Sequence, residues 1–216
     1  NEKGFESIRL VQAAFNNLNY FEYKIQSLQK EHPEEFIAGG YLEPRPLYTS
    51  EDYDKASNQG PISRCIHMGI DFWLPEQTPV HSLFDGKIII SLDRKGAKEY
   101  GGFVVLEHKE EGLVFYSLYG HLSPASILTH KAGNTLLKGT TIGLLGNATN
   151  NGNWAPHLHF QIMLDLLGYQ DDFPGVQTFQ QQAIWADICP DPNLLFKVSA
   201  LERPKKTTNK TLLDYR

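Results

Sequence analysis

Two closely spaced histidines are the first residues of this 216-residue chain whose types and spacing suggest chemistry. His157 and His159 alternate with apolar residues, namely Leu158, Phe160, Ile162 and Leu164. Because successive side chains of a β-strand point to opposite faces, both imidazoles would lie side by side on one face. Two imidazoles held on a rigid strand are a good basis for a metal site.

Two further motifs add to this pair. His67 and Asp71 are four residues apart, so both side chains lie on one face of a strand that Gly69 can bend. Imidazole nitrogen and carboxylate oxygen are ligands that suit zinc. In the third motif, at residues 119–121, His121 ends a β-prone run and can reach into a cleft.

Together, the three motifs supply three candidate ligands and two further imidazoles on the strand edges of one predicted β domain. Catalytic zinc sites use three protein ligands and keep one position open for water, whose pKa falls to about 7. Neutral imidazoles nearby can accept the proton of that water and stabilise the developing oxyanion. The sequence therefore predicts a zinc-dependent hydrolase of amide bonds that acts on a peptide.

These motifs also resemble a known family. His-x-x-x-Asp at 67–71, Tyr-x-His-Leu at 119–122 and His-x-His at 157–159 are similar to the three signature motifs of the lysostaphin-type zinc endopeptidases, also called the LytM or LasA type. The similarity covers about residues 64–165 and extends to glycines and prolines around the motifs.

The resemblance implies a role for each residue of the motifs. His67, Asp71 and His159 would bind one zinc ion per chain, while His121 and His157 would be the catalytic imidazoles. The substrate would be a peptide, from the cross-bridges or stem peptides of peptidoglycan. The resemblance implies a periplasmic or extracellular setting, while the residues themselves leave a cytoplasmic one open.

The sequence departs from the family pattern around the motifs. Gln161 replaces the usual Glu, which changes a hydrogen-bonding partner near the ligands. Trp154 replaces a small residue, and with Tyr119 it is a candidate for the substrate groove. Residues 173–176 and 189–195 resemble a subgroup in which this domain is fused between a kinase-like phosphotransferase and an aminotransferase.

Two alternatives therefore stand beside a cell-wall peptidase. One is a catalytically silent binding or scaffold module of the same fold, and the other is a zinc hydrolase of a small amide or ester outside the cell wall. Silent relatives usually lose ligands, whereas all five positions are present here.

The elements that must position these residues follow from apolar periodicity. Spacings of three and four predict an amphipathic helix over about residues 4–31, followed by an irregular connection up to residue 63. Short β-prone runs then alternate with turn residues: Val80–Phe84, Lys87–Leu92, Phe103–His108, Leu113–Tyr119, Thr141–Leu145 and His157–Leu164. Hairpin turns are expected at Asp85-Gly86 and Glu111-Gly112.

The predicted fold is thus mainly β (α+β overall), an antiparallel lysostaphin-like domain with an N-terminal amphipathic helix. Its segments are 1–63, the peptidase domain 64–165 and a C-terminal extension 166–216 with a short helix at residues 183–188. The net charge of −5 argues against nucleic acid as a partner. Two cysteines do not indicate a disulfide scaffold, although they leave room for one bridge, and no apolar run is long enough for a membrane span.

Overall fold

Seven strands form the main sheet of the protein, in a computed structural model that describes residues 17–45, 54–55 and 62–202. The strands, in chain order, are β1 (Ile37–Gly39), β2 (Asp54–Lys55), β3 (Ile62–His67), β4 (Ile70–Trp73), β5 (Pro79–His81), β6 (Gly86–Arg94), β7 (Gly101–Glu110), β8 (Leu113–Leu122), β9 (Thr135–Leu136), β10 (Thr141–Leu144), β11 (His157–Met163) and β12 (Val176–Thr178). The main sheet has the order β1-β4-β11-β8-β7-β6-β9, and all its neighbouring strands are antiparallel. Two small sheets, β10-β5 and β12-β3-β2, complete the described strands. The prediction of a mainly antiparallel β fold is therefore confirmed.

One of the two predicted hairpins is present. Each of the six β-prone runs overlaps a strand, and Glu111-Gly112 joins β7 to β8 with positive φ angles of 49° and 85°. Positive φ at both central residues is the conformation of a type I′ turn. The prediction of a hairpin at Asp85-Gly86 is wrong, because β5 pairs with β10 and not with β6. Gly86 instead makes room for the ring of His108, since a Cβ on Gly86 would lie 2.8 Å from it.

Both faces of the main sheet are buried, each against its own hydrophobic cluster. Along β7, Phe103 and Val105 belong to one cluster, whereas Val104 and Leu106 belong to the other. A strand buried on both faces reads as a continuous apolar run, which explains the strong β signal of this segment. Truncating such a residue, as in Phe103→Ala, would cost about 3–5 kcal/mol of unfolding free energy.

The N-terminal helix α1 (Leu18–Glu31) confirms the predicted helix for residues 18–31, and residues 4–16 of the prediction lie outside the described residues. Asn17 caps the helix, because its side-chain oxygen accepts a hydrogen bond from the Tyr20 N–H at 3.1 Å. Phe21 packs edge-on against Trp73, with ring centroids 5.9 Å apart. This contact attaches α1 beside β4.

The segments on both sides of residues 64–165 contribute strands around β3 and β4. β1 lies inside the predicted irregular connection and places Gly39 opposite Asp71. β12, inside the predicted extension, places Val176 opposite His67. The predicted domain boundaries at residues 64 and 165 stay predictions. The sheets include strands from both sides of each boundary.

The C-terminal part of the described chain packs against the sheet through two short helices, α2 (Gln182–Ile188) and α3 (Asn193–Phe196). α2 confirms the helix predicted at residues 183–188, and its Trp185 belongs to a buried cluster. Cys65 and Cys189 are both free thiols. In the parts of the chain that the structure describes, the helices are too short or too polar to cross a membrane.

Candidate metal centre and active site

Three strands bring the predicted ligands to one point. His67 ends β3, Asp71 lies in β4, and His159 of β11 is the direct cross-strand neighbour of Asp71. Gly69 makes the turn between β3 and β4 possible, because a Cβ there would lie 2.5 Å from the Phe160 carbonyl oxygen and 2.8 Å from the His159 ring. The sequence predicted that the His67 and Asp71 side chains lie on one face of a strand. They do lie together, although they belong to two strands, β3 and β4, that are separated by the turn at Gly69.

Three potential ligand atoms converge in this group. His67 Nε2 lies 3.2 Å from Asp71 Oδ1, His159 Nδ1 lies 3.0 Å from the same oxygen, and the two nitrogens are 3.0 Å apart. A tetrahedral ion with ligands at about 2.0–2.1 Å keeps its ligand atoms about 3.3 Å apart. These separations, together with the nitrogen and oxygen donors, fit a zinc ion.

Hydrogen bonds on the far side of each ring direct a lone pair toward this point. His67 Nδ1 lies 3.1 Å from the Gly40 carbonyl oxygen, to which it can only donate. His159 Nε2 donates to Gln161 Oε1 at 3.0 Å, and the Gln161 amide donates in turn to the Pro174 carbonyl oxygen at 3.3 Å. Each of these bonds places a ring proton on the side away from Asp71, so the other nitrogen of each ring faces the carboxylate and can offer a lone pair there. Such a cluster is suited to a cation.

An arginine outside the predicted site holds the carboxylate. Arg45 Nη1 donates to Asp71 Oδ2 at 2.5 Å, and both side chains are buried. Burial alone would raise the pKa of Asp71, but the guanidinium of Arg45 and the ring of His67 hold that pKa well below its usual value. Burial lowers the pKa of His67 to about 4. Asp71 is therefore ionised and His67 neutral at pH 7, as metal ligands must be.

The two predicted catalytic histidines lie beside the candidate ligands, and the ring centroids of His121 and His157 are 4.1 Å apart. His121 Nδ1 donates to the Asn151 carbonyl oxygen at 3.0 Å, and His157 Nδ1 donates to the Ala155 carbonyl oxygen at 2.7 Å. Burial lowers the pKa of His157 and brings that of His121 well below its usual value. Both rings are thus neutral at pH 7 and keep Nε2 as a proton acceptor.

The backbone aims His121 in a way that simple alternation does not predict. Regular alternation would place Tyr119 and His121 on the same face of β8. His121 has a φ of 63°, and the register between β7 and β8 shifts nearby. Left-handed conformations of this kind cluster at functional sites when the surrounding structure imposes them.

Tyr119, expected in the substrate groove, is instead a core residue. It is 1% exposed, belongs to the cluster behind the sheet, and its hydroxyl accepts a hydrogen bond from the Leu83 N–H at 3.3 Å. The correction follows from the same backbone turn at His121, which separates the directions of these two side chains.

Trp154, the other groove candidate, lines a cavity of about 280 Å³ around the candidate site. Its ring centroid lies 6.3 Å from that of His121 and 6.2 Å from that of His157. Phe21 of α1 and Trp73 also line the cavity, and Trp73 stacks on His157 at 5.9 Å. The helix therefore forms part of the cavity wall.

Sequence reasoning did not identify Arg45 as part of the site. It lies in a Pro-flanked segment, residues 43–46, that reads as a turn. The chain brings it to Asp71 through the bridge between Pro44 and Ile66 and the 2.6 Å hydrogen bond from Arg45 N to Cys65 O. No spacing in the sequence signals this long-range contact.

Comparison with known proteins identifies the family that this domain matches. Residues 65–170 match the model of peptidase family M23. The chain is 30% identical over 155 residues to lysostaphin of Staphylococcus staphylolyticus, a stretch that covers 68% of this chain and 30% of that protein. It is 33% identical over 106 residues to the peptidoglycan DD-endopeptidase ShyA of Vibrio cholerae, covering 48% of this chain and 22% of ShyA.

The chain thus spans less than a third of the length of these two relatives. Among solved structures, the catalytic domain of the antimicrobial peptidase lysostaphin from Staphylococcus simulans is 26% identical, with a TM-score of 0.39, over 69% of this chain and 92% of that one. Through the domain at residues 65–170, this chain belongs to peptidase family M23.

Proposed function

We propose that this protein is a zinc-dependent peptide hydrolase. The observation that carries the proposal is the convergence of His67 Nε2, Asp71 Oδ1 and His159 Nδ1 within 3.0–3.2 Å of one another. Two neutral imidazoles, those of His121 and His157, lie beside this group. Three ligands with adjacent proton acceptors form the donor set of a catalytic zinc site, not of a closed structural one.

The side chains would divide the work as follows. His67, Asp71 and His159 would hold the ion, which when bound supplies a Lewis acid that activates water and polarises the scissile carbonyl. His157 Nε2, 3.8 Å from Asp71 Oδ2, would accept the proton of the attacking water. His121 Nε2, whose ring centroid is 4.1 Å from that of His157, would be the alternative acceptor of that water proton, and after taking it up this ring would donate a hydrogen bond to the oxyanion.

The substrate that we propose is a peptide of peptidoglycan, either a cross-bridge or a stem peptide. Lysostaphin and a peptidoglycan DD-endopeptidase are among the relatives of this domain, and these names support the proposal. The cavity of about 280 Å³ supports it further, because the histidine cluster lines it and a substrate group can occupy the space beside these rings.

Two variants of the His157–His159 segment test the proposal. The purified protein should contain one zinc per chain and release soluble fragments from peptidoglycan sacculi. His159→Ala should lose most of its zinc, because two remaining ligands hold the ion poorly. His157→Ala should keep its zinc and lose activity by about 10²–10⁴-fold.

A third variant, His81→Ala, is the matched control. His81 is exposed and hydrogen-bonded to the Gly139 carbonyl oxygen, so its loss should change neither zinc content nor turnover. Full zinc content in His159→Ala would contradict the ligand set. Fully loaded wild-type protein without activity on any peptidoglycan type would contradict the substrate.

A further inference from the structure

One loop supplies the hydrogen-bond acceptors of both candidate catalytic imidazoles. It comprises residues 145–156, between β10 and β11. His121 Nδ1 donates to the carbonyl oxygen of Asn151 at 3.0 Å. His157 Nδ1 donates to the carbonyl oxygen of Ala155 at 2.7 Å. Because the partner of one ring nitrogen decides where the proton of a neutral imidazole sits, the conformation of this loop fixes the tautomer of both rings.

The side chain of Asn151 ties the two acceptors together. It is 0% exposed, and its Oδ1 accepts a hydrogen bond from the Trp154 N–H at 3.0 Å. Its amide donates to the Gly146 carbonyl oxygen at 3.4 Å. Trp154 directly precedes Ala155, so the first of these bonds fixes the part of the loop that carries the acceptor of His157. Asn151 therefore holds one imidazole with its own carbonyl group and the other through its side chain.

Backbone contacts attach the same loop to the strand that carries His121. The Gly146 N–H donates to the His121 carbonyl oxygen at 2.9 Å, and the His121 N–H donates to the Tyr100 carbonyl oxygen at 3.1 Å. At the start of β7, Gly101 lies so close to the loop that a Cβ there would be 2.8 Å from Asn151 Cα. A left-handed residue such as His121, with a φ of 63°, persists only where its surroundings impose that conformation. The loop is part of those surroundings.

The role of Asn151 goes beyond filling volume. A buried amide costs free energy unless its donor and acceptor are satisfied, and an apolar side chain would fill the space without that requirement. Asn151 instead bonds Trp154 and Gly146 within its own loop. Without these bonds the turn over residues 151–154 would lose its closure, and the acceptors of the two histidines would no longer keep a fixed separation.

We propose that Asn151 is a positioning residue for both catalytic imidazoles. It holds His121 and His157 in the tautomer with the proton on Nδ1, so that Nε2 of each ring is the proton acceptor. The inference rests on the proposed peptide hydrolysis for the role of these rings, but the tautomers themselves can be measured without turnover.

Proton–nitrogen correlation spectra of the imidazole rings test the inference on zinc-loaded protein at pH 7. The signals of the two rings are assigned by their loss in His121→Ala and His157→Ala. Wild-type protein should show both rings protonated on Nδ1. Asn151→Ala removes the acceptor of the Trp154 N–H, and both rings should then populate the two tautomers.

Two further variants separate positioning from general loss of structure. Asn151→Ser differs from Asn151→Ala by one hydroxyl group, which can accept from an N–H three residues ahead as an asparagine side chain does, so it should restore the wild-type tautomers. Asn147→Ala is the matched control, because the Asn147 side chain accepts from Thr149 in the outer part of the same loop, at 2.7 Å. It should leave both rings as they are in the wild type.

Kinetics on soluble cross-linked peptidoglycan fragments give the second readout. Asn151→Ala should lower kcat by about 10–100-fold, since a small displacement of a catalytic group costs this much. KM should change by less than roughly threefold, and the zinc content should stay at one per chain, because all three candidate ligands lie outside the loop. In a His121→Ala background the further loss should be smaller, because part of the effect acts through His121.

Three results would overturn the inference. They are wild-type tautomers of both rings in Asn151→Ala, a kcat loss that is as large in the His121→Ala background as in the wild type, and equal defects in Asn151→Ser and Asn151→Ala. Thermal unfolding shows whether each variant is folded, and Asn151→Leu, which fills the volume, replaces Asn151→Ala if that variant is unfolded. If wild-type protein hydrolyses no fragment, the proposed function fails, while the ring tautomers still decide whether Asn151 positions the two histidines.

Discussion

Replacing Arg45 should destabilise the metal-free protein far more than the zinc-loaded protein. In Arg45→Met, the carboxylate of Asp71 remains buried without the guanidinium that now contacts Oδ2. Removing one partner of a buried ion pair lowers the unfolding free energy by about 3–5 kcal/mol, because the remaining charge is uncompensated. Bound zinc would supply the compensating charge through Oδ1, so the loss in the loaded protein should be about 1 kcal/mol.

The difference has a measurable consequence for metal binding. Because binding and folding are linked, a variant that loses more stability without zinc than with it must bind zinc more tightly. The gap of about 2–4 kcal/mol corresponds to an affinity increase of roughly 30-fold to several hundredfold. By this reasoning Arg45 would keep Asp71 ionised and oriented at the expense of zinc affinity.

Urea unfolding with and without a chelator measures both effects, and competition with a zinc-binding dye measures the affinity directly. Glu43→Gln is the matched control, since Glu43 also contacts Arg45, at 3.1 Å, but is 42% exposed. Its loss should cost less than about 1 kcal/mol in either state. Equal destabilisation of Arg45→Met with and without zinc would refute the reasoning.

Three further predictions follow from the site. Gln161→Leu removes the acceptor of His159 Nε2–H and should weaken zinc affinity by about 10–100-fold, whereas Gln161→Glu should retain it, as dye competition would reveal. In the folded metal-free protein, burial lowers the pKa of His67 from 6.5 to about 4, so between pH 4 and 6.5 the unfolded chain binds more protons than the folded one. Its unfolding free energy should therefore fall as the pH is lowered from 6.5 toward 4, and urea melts in chelator that stay constant across this window would contradict the assignment. Gly69→Ala should destabilise the protein by at least about 1–3 kcal/mol, because its Cβ would lie 2.5 Å from the Phe160 carbonyl oxygen, and an unchanged melting temperature would show that the turn has room.

Local rules were enough to predict the parts of the site that lie on regular strands. His157 and His159 lie on one face of β11 because side chains alternate in a strand, and Phe160 points to the opposite cluster for the same reason. The choice of His67, Asp71 and His159 as the ligand set came from motif resemblance, since periodicity alone does not say which strands are neighbours.

The remaining features depend on contacts that no local pattern encodes. The direction of His121 depends on a single left-handed residue, and no local pattern shows that Tyr119, two positions earlier, is buried in the core. β1 has only three residues, too few to show a period, and Arg45 acts across 26 positions of sequence. Tertiary packing decides such positions, and it is not visible in a short window of sequence.

β1 is the edge strand that pairs with β4, and this determines where a fragment containing the domain can begin. The family match begins at residue 65, whereas the edge of the main sheet is formed by residues 37–39. A fragment that starts at residue 65 would expose the hydrogen-bonding groups of β4 along one side, and unpaired strand edges recruit other chains. Such a fragment should aggregate through β4, so soluble preparations of the isolated domain need to retain the chain from β1 onward.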